Sequence, residues 1–277
     1  MNRSEMTAHV LKRLDESGAD IARLWAQGGA GTPTRHVAID NLFPEEVALE
    51  IFRAFPQRGE GFRASASFRE RKHTSYEFDR HPLILADVTF ALQDPRVAAR
   101  VGELTGMKGL EPDPHLYAGG LSMMLKGDFL NPHIDNSHEK TRAKYRRVNL
   151  LYYVAPDWRE ENGGNLELWD PKVTRPVTIL SAFNRLVLME TNKDSWHSVS
   201  PVATDAPRCC VSNYYFSDVS PTGEDYYHVT SFTGRPGQVL RRAWGRIDNA
   251  ARKFARSRLG MTRKTDAGYE GGLAKGD

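Results

Sequence analysis

At 277 residues, with 40% hydrophobic and 26% charged residues and no collagen-like or low-complexity bias, the chain can bury one full core; fibrous and disordered classes are excluded. Its 38 basic and 35 acidic side chains leave a formal charge of +3, too small to argue for nucleic-acid binding from the total. Only two cysteines occur, Cys209 and Cys210, and adjacent cysteines seldom form a disulfide; with no secretory h-region near the N-terminus and no run of about 20 apolar residues, a reducing, cytoplasmic setting without a membrane span is expected.

In chain order, Val10, Leu11, Leu14, Ile21, Leu24 and Trp25 recur at helical spacing between Glu5 and Ala26, and GGAGTPT from Gly28 to Thr34 ends the pattern. Residues 1–34 therefore read as a helix and a linker. HVAID predicts a short strand, and FPEEVALEIFRAFP a helix with Pro44 early and Glu45 and Glu46 near its positive end. Pro82 to Leu92 and Pro95 to Thr105 predict two further helices outside the core. After Gly120 come short apolar runs separated by turn residues: LSMML, RVNLLYYV, NLELW, PVTIL, RLVLME, SWHSVSPV and CCVSNYYFS. This β-rich block of roughly 95 residues suits a double-sheet jelly roll. Gly163 and Gly164 read as a hairpin turn before a strand, and Trp158, Trp169 and Trp196 as core anchors.

The fold class expected is thus mainly β with flanking helices (α+β), with a jelly-roll core at about 110–218 inside a domain spanning 35–235. From Val239 onward Leu240, Ala243, Trp244, Ile247, Ala251 and Phe254 form one helical stripe. Between Gln238 and Lys264 seven arginines and two lysines face a single acid, Asp248. Residues 236–277 read as a basic amphipathic helix and tail, packed on the domain. No nucleic-acid partner is expected; a peripheral membrane contact by this helix stays open.

In FLNPHID, His133 and Asp135 lie two apart, so on an extended segment both leave the same face and can meet one ion. His-x-Asp alone is weak evidence among nine histidines. His197, in DSWHSVSPV, is a second imidazole on another apolar strand, and two histidines with one carboxylate form the facial triad that non-haem Fe(II) uses; zinc is also compatible. Arg208 opens the following strand, where Arg208, Cys210 and Ser212 share a face. An inward guanidinium there suits the distal carboxylate of a diacid.

His133-x-Asp135, RRVNLLYYVAPDW, EENGGNLELWD, FNRLVLME, WHSVSPV and the strand opened by Arg208 resemble, in order and spacing, the prolyl 4-hydroxylase-like branch of the 2-oxoglutarate/Fe(II) oxygenases. The likeness covers Leu121 to Ser217, with a weaker match from His36 to Pro56. It implies a double-stranded β-helix (jelly roll, cupin-like), with His133, Asp135 and His197 as iron ligands and Arg208 binding the 2-oxoglutarate C5 carboxylate. Tyr153 matches a tyrosine of the co-substrate pocket; Ser212, Asn149 and Leu151 are implied to face the same pocket. Many relatives place another tyrosine upstream of the first histidine, where this chain has Met123, Met124 and Leu125.

The implied cofactors are Fe(2+), 2-oxoglutarate and O2, with ascorbate a candidate addition. The implied reaction is hydroxylation of an unactivated C–H bond coupled to decarboxylation of 2-oxoglutarate to succinate and CO2, and the presence of Asp135 argues against halogenation. The substrate class stays open among a peptidyl proline, an amino acid and a polar small molecule. Asn136–Lys144 and Arg63–Phe78, both polar and basic, are candidate lids that lean toward an anionic or strongly polar substrate. Two other classes stay open: a non-catalytic metal-binding jelly-roll module, which leaves Arg208 unexplained, and an interaction protein acting through its basic C-terminal helix.

Overall fold

A computed structural model describes residues 1–29, 31–117, 119–238 and 242. The chain opens with helices α1 (Arg3–Glu16) and α2 (Gly18–Gln27), strand β1 (His36–Asp40) and helix α3 (Glu45–Ala54). Strands β2 (Arg63–Ala66) and β3 (Glu70–Ser75) precede helices α4 (Leu83–Leu92) and α5 (Pro95–Thr105) and the short strand β4 (Glu111–Pro112). Then follow β5 (Gly120–Met124), β6 (Phe129–Ile134), β7 (Tyr145–Tyr153), β8 (Leu166–Trp169), β9 (Pro176–Ile179), β10 (Arg185–Glu190), β11 (His197–Val199), β12 (Arg208–Ser217) and β13 (Ser231–Phe232).

The helices begin where local chemistry favours it. Asn2 and Glu5 form a reciprocal capping box, each side chain accepting from the other's backbone N–H, at 2.9 and 3.0 Å. Pro44 and Pro82 occupy the N-caps of α3 and α4, and Asp94 caps α5, whose first residue is Pro95. The single N-terminal helix expected from Glu5 to Ala26 is instead two. The break at Ser17 and Gly18 lets α2 turn onto α5, and a Cβ on Gly18 would lie 3.2 Å from Leu104 Cδ2. Met6, Val10, Leu14, Ile21 and Trp25 bury the inner faces of the pair, each contributing about 1.5–3 kcal/mol of apolar burial.

All strand pairings are antiparallel, and the sheet curls through the order β1-β10-β7-β12-β5-β3-β6-β11-β8-β9. One arm, β1 to β5 in that order, is backed by the helices; the other, β6 to β9, closes over its opposite face, and β3 joins the two. This is the expected jelly-roll layout. Within the backed arm β10, β7, β12 and β5 are buried on both sides, which is why they read as near-continuous apolar runs, while β1 at the edge alternates. Val148, Leu150, Tyr152, Cys209 and Val211 pack toward the helices, while Tyr153, Cys210, Leu166, Leu168 and Val187 meet between the arms. Cys209 and Cys210 therefore point to opposite faces and are free thiols.

Two further expectations change. Arg63–Phe78 is not a loose lid: β2 and β3 form a hairpin, and β3 is built into the sheet against β5 and β6. Gly163 and Gly164 do adopt positive φ, 66° and 63°, but they turn no hairpin, because β7 and β8 are not partners. The glycines permit close approach instead: a Cβ on Gly163 would lie 1.9 Å from the Pro201 carbonyl oxygen. The basic stripe expected from Val239 lies outside the described residues, Arg242 excepted. Among the described residues no helix is long and apolar enough to cross a membrane.

Gly163→Ala should cost about 3 kcal/mol or more, since backbone must move to admit the methyl group. Gly223→Ala, at φ 75° with nothing within 4 Å of the added carbon, should cost only the conformational term of about 1 kcal/mol. Urea unfolding of the two variants measures the difference.

Candidate active site

Strands β6 and β11 pair so that His133 lies directly opposite His197, with ring centroids 4.1 Å apart, and Asp135 follows just beyond the end of β6. The two imidazole tautomers are set by the backbone. His133 Nδ1 lies 3.0 Å from the Asn131 carbonyl oxygen and His197 Nδ1 lies 2.9 Å from that of Ser195. A carbonyl oxygen only accepts, so each Nδ1 carries a proton and each Nε2 is the ring atom left to face the cleft. Those Nε2 atoms face the Asp135 carboxylate at 3.6 and 3.5 Å, and one ligand atom from each residue falls within 4.8 Å of the others. Burial, then the neighbouring His133 ring, push His197 down to about 4, so it is neutral at physiological pH. Two imidazole Nε2 atoms and a carboxylate thus converge in a buried corner. That donor set fits a divalent cation held by two imidazoles and one carboxylate.

Asp135 is itself gripped. Arg146 Nη1 and Asn149 Nδ2 both donate to its Oδ2 at 2.9 Å. Burial alone would raise the Asp135 carboxyl; Arg146, His197 and His133 outweigh it and hold the group well below the ordinary carboxylate range. Arg146 is 2% exposed, lies with its guanidinium carbon 4.0 Å from the Tyr214 ring centre, and was not foreseen from the sequence. Simple alternation from Asn149 places Arg146 on the opposite face of β7. However, Val148 pairs with Tyr215 and Arg146 with Phe216, so Arg147 is the extra residue of a β-bulge. The bulge turns Arg146 inward. The one signal in the sequence was a charge at the head of an otherwise apolar run.

Arg208 lies at the other end of the same cleft, 4% exposed, and no carboxylate lies within ion-pair range of it among the described residues. Its polar contacts are long: 3.5 Å from Nε to Ser181 Oγ and 3.8 Å from Nη1 to Met124 Sδ. Its guanidinium carbon lies 4.8 Å from the Tyr153 ring centre. The Tyr153 hydroxyl is buried without a partner at hydrogen-bonding distance, and burial pushes its ionisation well up, leaving it a proton donor. A buried cation beside an unused hydroxyl donor fits an anionic ligand group. Gly164 makes room for it, since a Cβ there would lie 2.9 Å from Arg208 Cδ.

The cleft between the arms, about 730 Å³ including its mouth, is lined by His133, Asp135 and His197 with Arg208, Cys210, Ser212 and Leu151. The expected site residues are thereby brought together. Asn149 also lines it, but spends its Nδ2 on Asp135; Tyr153 lies beneath Arg208. Met124 faces the cleft while Met123 is in the helix-backed core. Lys72 and Thr74 of β3 line the mouth, a contribution hidden in the sequence by the polar, loop-like composition of that hairpin. Lys72 Nζ lies 3.1 Å from Glu70 Oε2; against the opposing effect of burial, this lysine with Ser65 and His133 brings Glu70 to about 2.

Residues 119–216, which hold the whole triad, Arg146 and Arg208, match the family model described as the 2OG-Fe(II) oxygenase superfamily. Over this span, about a third of the chain, the jelly-roll core is similar to the 2-oxoglutarate/Fe(II) oxygenase superfamily. Two curated relatives are both prolyl 3-hydroxylase OGFOD1. The Xenopus laevis protein is 30% identical over 95 residues, 31% of this chain and 19% of its own, and the Mus musculus protein 30% over 78 residues, 26% and 14%. The chain thus spans less than a fifth of their length. A prolyl hydroxylase of Trichoplax adhaerens, solved with a hypoxia inducible factor peptide, superposes with a TM-score of 0.53 at 18% identity, covering 77% of this chain and 96% of that one. A Pseudomonas putida prolyl-4-hydroxylase gives 0.51 at 14% identity, covering 72% and 98%. At such identity these structures show a shared fold. The oxygenase superfamily's cofactors, ferrous iron and 2-oxoglutarate, agree with the two donor sets found at opposite ends of the cleft.

The buried triad dictates a pH response in metal-free protein. Folded His197 titrates near 4 and an unfolded histidine near 6.5, so the unfolded state binds more protons between them. Stability should be whole above about pH 6.5 and fall as pH drops toward 4. In His197→Gln, urea denaturation should show a flatter profile across that window. Arg146→Met strands the Asp135 charge and should cost about 3–5 kcal/mol at pH 7, a penalty that shrinks in acid as the carboxyl protonates.

Proposed function

We propose that the chain is an Fe(II)- and 2-oxoglutarate-dependent hydroxylase of an unactivated C–H bond, with a peptidyl proline as its substrate class. The observation that carries the reading is the pairing of the His133–Asp135–His197 corner with the carboxylate-free guanidinium of Arg208 in one cleft. A non-catalytic module has no use for the second feature. The proline reading draws on the relatives, two of which are named as prolyl 3-hydroxylases and two as prolyl hydroxylases of solved structure.

His133 and His197 would hold iron through Nε2, their rings fixed by the Nδ1 hydrogen bonds to Asn131 and Ser195. Asp135 would be the third ligand, its Oδ2 held by Arg146 and Asn149 so that Oδ1 has the more open lone pairs. Arg208, with the Tyr153 hydroxyl, would anchor the distal carboxylate of 2-oxoglutarate, and Leu151 and Leu166 would flank its methylenes. Ser212, on the same face of β12 as Arg208, would border the co-substrate on the way to the metal. When bound, iron, 2-oxoglutarate and O2 supply the oxidation: one oxygen atom leaves in succinate, CO2 is released and the other oxygen enters the substrate C–H bond. The protein's share is to bind, orient and screen from water, with the apolar walls of both arms raising the strength of each polar contact.

Anaerobic titration of the protein with Fe(II) and 2-oxoglutarate should produce the weak visible charge-transfer absorption of a keto acid chelated to ferrous iron, and Arg208→Ala should weaken or abolish it. Failure of the band to appear with iron demonstrably bound sinks the co-substrate reading. Mass spectrometry of proline-containing peptides after turnover should show gain of one oxygen; oxidation confined to other residues would overturn the proline assignment alone.

A further inference from the structure

The segment after β12 lies outside the region matched by the family model, yet it touches the stretches that carry all three triad residues. His228 Nδ1 lies 3.2 Å from the Asp135 carbonyl oxygen, its N–H donates to Ser137 Oγ at 2.8 Å, and its carbonyl accepts from the Ser137 N–H at 2.9 Å. Strand β13 then pairs with β6, placing Phe232 opposite His133, and the two rings stack with centroids 5.1 Å apart and 17° between planes. Thr233 N–H donates to the Pro132 carbonyl at 2.9 Å. Next, Arg235 crosses to the other histidine strand: Nη1 meets Glu167 Oε2 at 2.6 Å and Nη2 donates to the Val199 carbonyl at 2.9 Å.

Glu167 is the cross-strand partner of Ser198, whose hydroxyl donates to Glu167 Oε2 at 2.5 Å and accepts from Trp169 Nε1 at 2.8 Å. Ser198 is the residue after His197. The ion pair is well shielded, with side chains 16% and 11% exposed, so it is not an ordinary surface bridge. Arg242 adds an anchor through Nε to the Gly234 carbonyl at 3.1 Å.

Strand β11 needs such support. It is three residues long, and its register with β6 slips immediately beyond His197, so few ladder bonds of its own hold that imidazole. We propose that residues 228–235 are a strap that positions the metal ligands, with Phe232 backing His133 and the Arg235–Glu167 latch holding the β8–β11 edge that presents His197. Arg235, Glu167 and Phe232 are positioning residues; none of them touches the reacting atoms. The inference rests on the iron reading for its consequence and on geometry alone for its existence.

The test compares wild type, Arg235→Met, Glu167→Met and the double variant by Mn(II) and Fe(II) affinity and by amide hydrogen exchange. Each single variant should weaken metal binding about tenfold or more, the scale seen when groups supporting a metal ligand are removed. The double variant should be no worse than the poorer single one, since both break the same latch. Exchange should accelerate at 132–138 and 197–199 and stay unchanged in α4. Unchanged exchange near the two histidines, or an equal acceleration throughout the molecule, overturns the strap. Should the latch variants fail to fold, Phe232→Leu, which removes the ring stack without stranding a charge, is judged by the same local exchange. Wild-type protein that binds neither ion overturns the iron reading, while the exchange data still decide the strap.

Discussion

A carboxylate and two imidazole Nε2 atoms face one another in a buried corner whose donor set suits a cation. The rest of the architecture serves to hold that arrangement. Carbonyls of Asn131 and Ser195 take the Nδ1 protons, so neither ring turns that N–H toward Asp135. Arg146 offsets the carboxylate charge from behind, and its own burial is tolerable because Asp135 and the Tyr214 face share its field. The protein thus keeps a metal-ready geometry with positive charge behind the carboxylate and the two Nε2 atoms in front of it. The cost of that arrangement appears as acid sensitivity, since protonating either Asp135 or His197 dismantles it.

Two buried arginines do different work. Arg146 has its carboxylate within the chain, whereas Arg208 has none in range, and its long contacts to Ser181 and Met124 cannot replace one. The difference assigns direction to the cleft: one end presents a guanidinium without a carboxylate in range, the other the nitrogen and oxygen donors of the triad. Gly164 and the adjoining Gly163 make the Arg208 end possible, because side chains at either position would collide with Arg208 or with the Pro201 backbone. What looked in the sequence like a turn signal is therefore a clearance requirement.

Much of this was legible in residue order. The helices at α4 and α5 followed from proline-led apolar stretches, and the jelly-roll block followed from short apolar runs. Period-two spacing put His133 with Asp135 on one face and Arg208 with Ser212 on another, and the resemblance to the oxygenases implied that these residues and His197 meet. The parts that were not legible share a physical cause, namely that they depend on register or on distant pairing. A one-residue bulge at Arg147 reverses the face of Arg146, and composition carries no mark of it. The hairpin of β2 and β3 is polar because it is a rim as well as a strand pair, so it read as a loop. The split between α1 and α2 depends on Leu104, more than 80 residues away along the chain, pressing against Gly18.

The division of labour between matched and unmatched segments follows the same logic. Residues 119–216 contain the triad, Arg146, Tyr153 and Arg208, the residues on which the proposed chemistry rests. Lys72 and Thr74 at the mouth and the strap behind the histidines come from before and after that span. A donor set alone does not make a stable site, since three ligands on two strands need those strands held in register. The backed arm obtains its rigidity from the helices. The other arm has no helix of the described residues packed on it, and β11 is short; the 228–235 segment supplies there what α4 and α5 supply on the opposite side. Rigidity at the metal is thereby drawn from parts of the chain that take no part in the chemistry, which is why the matched core alone does not account for the geometry of its own site.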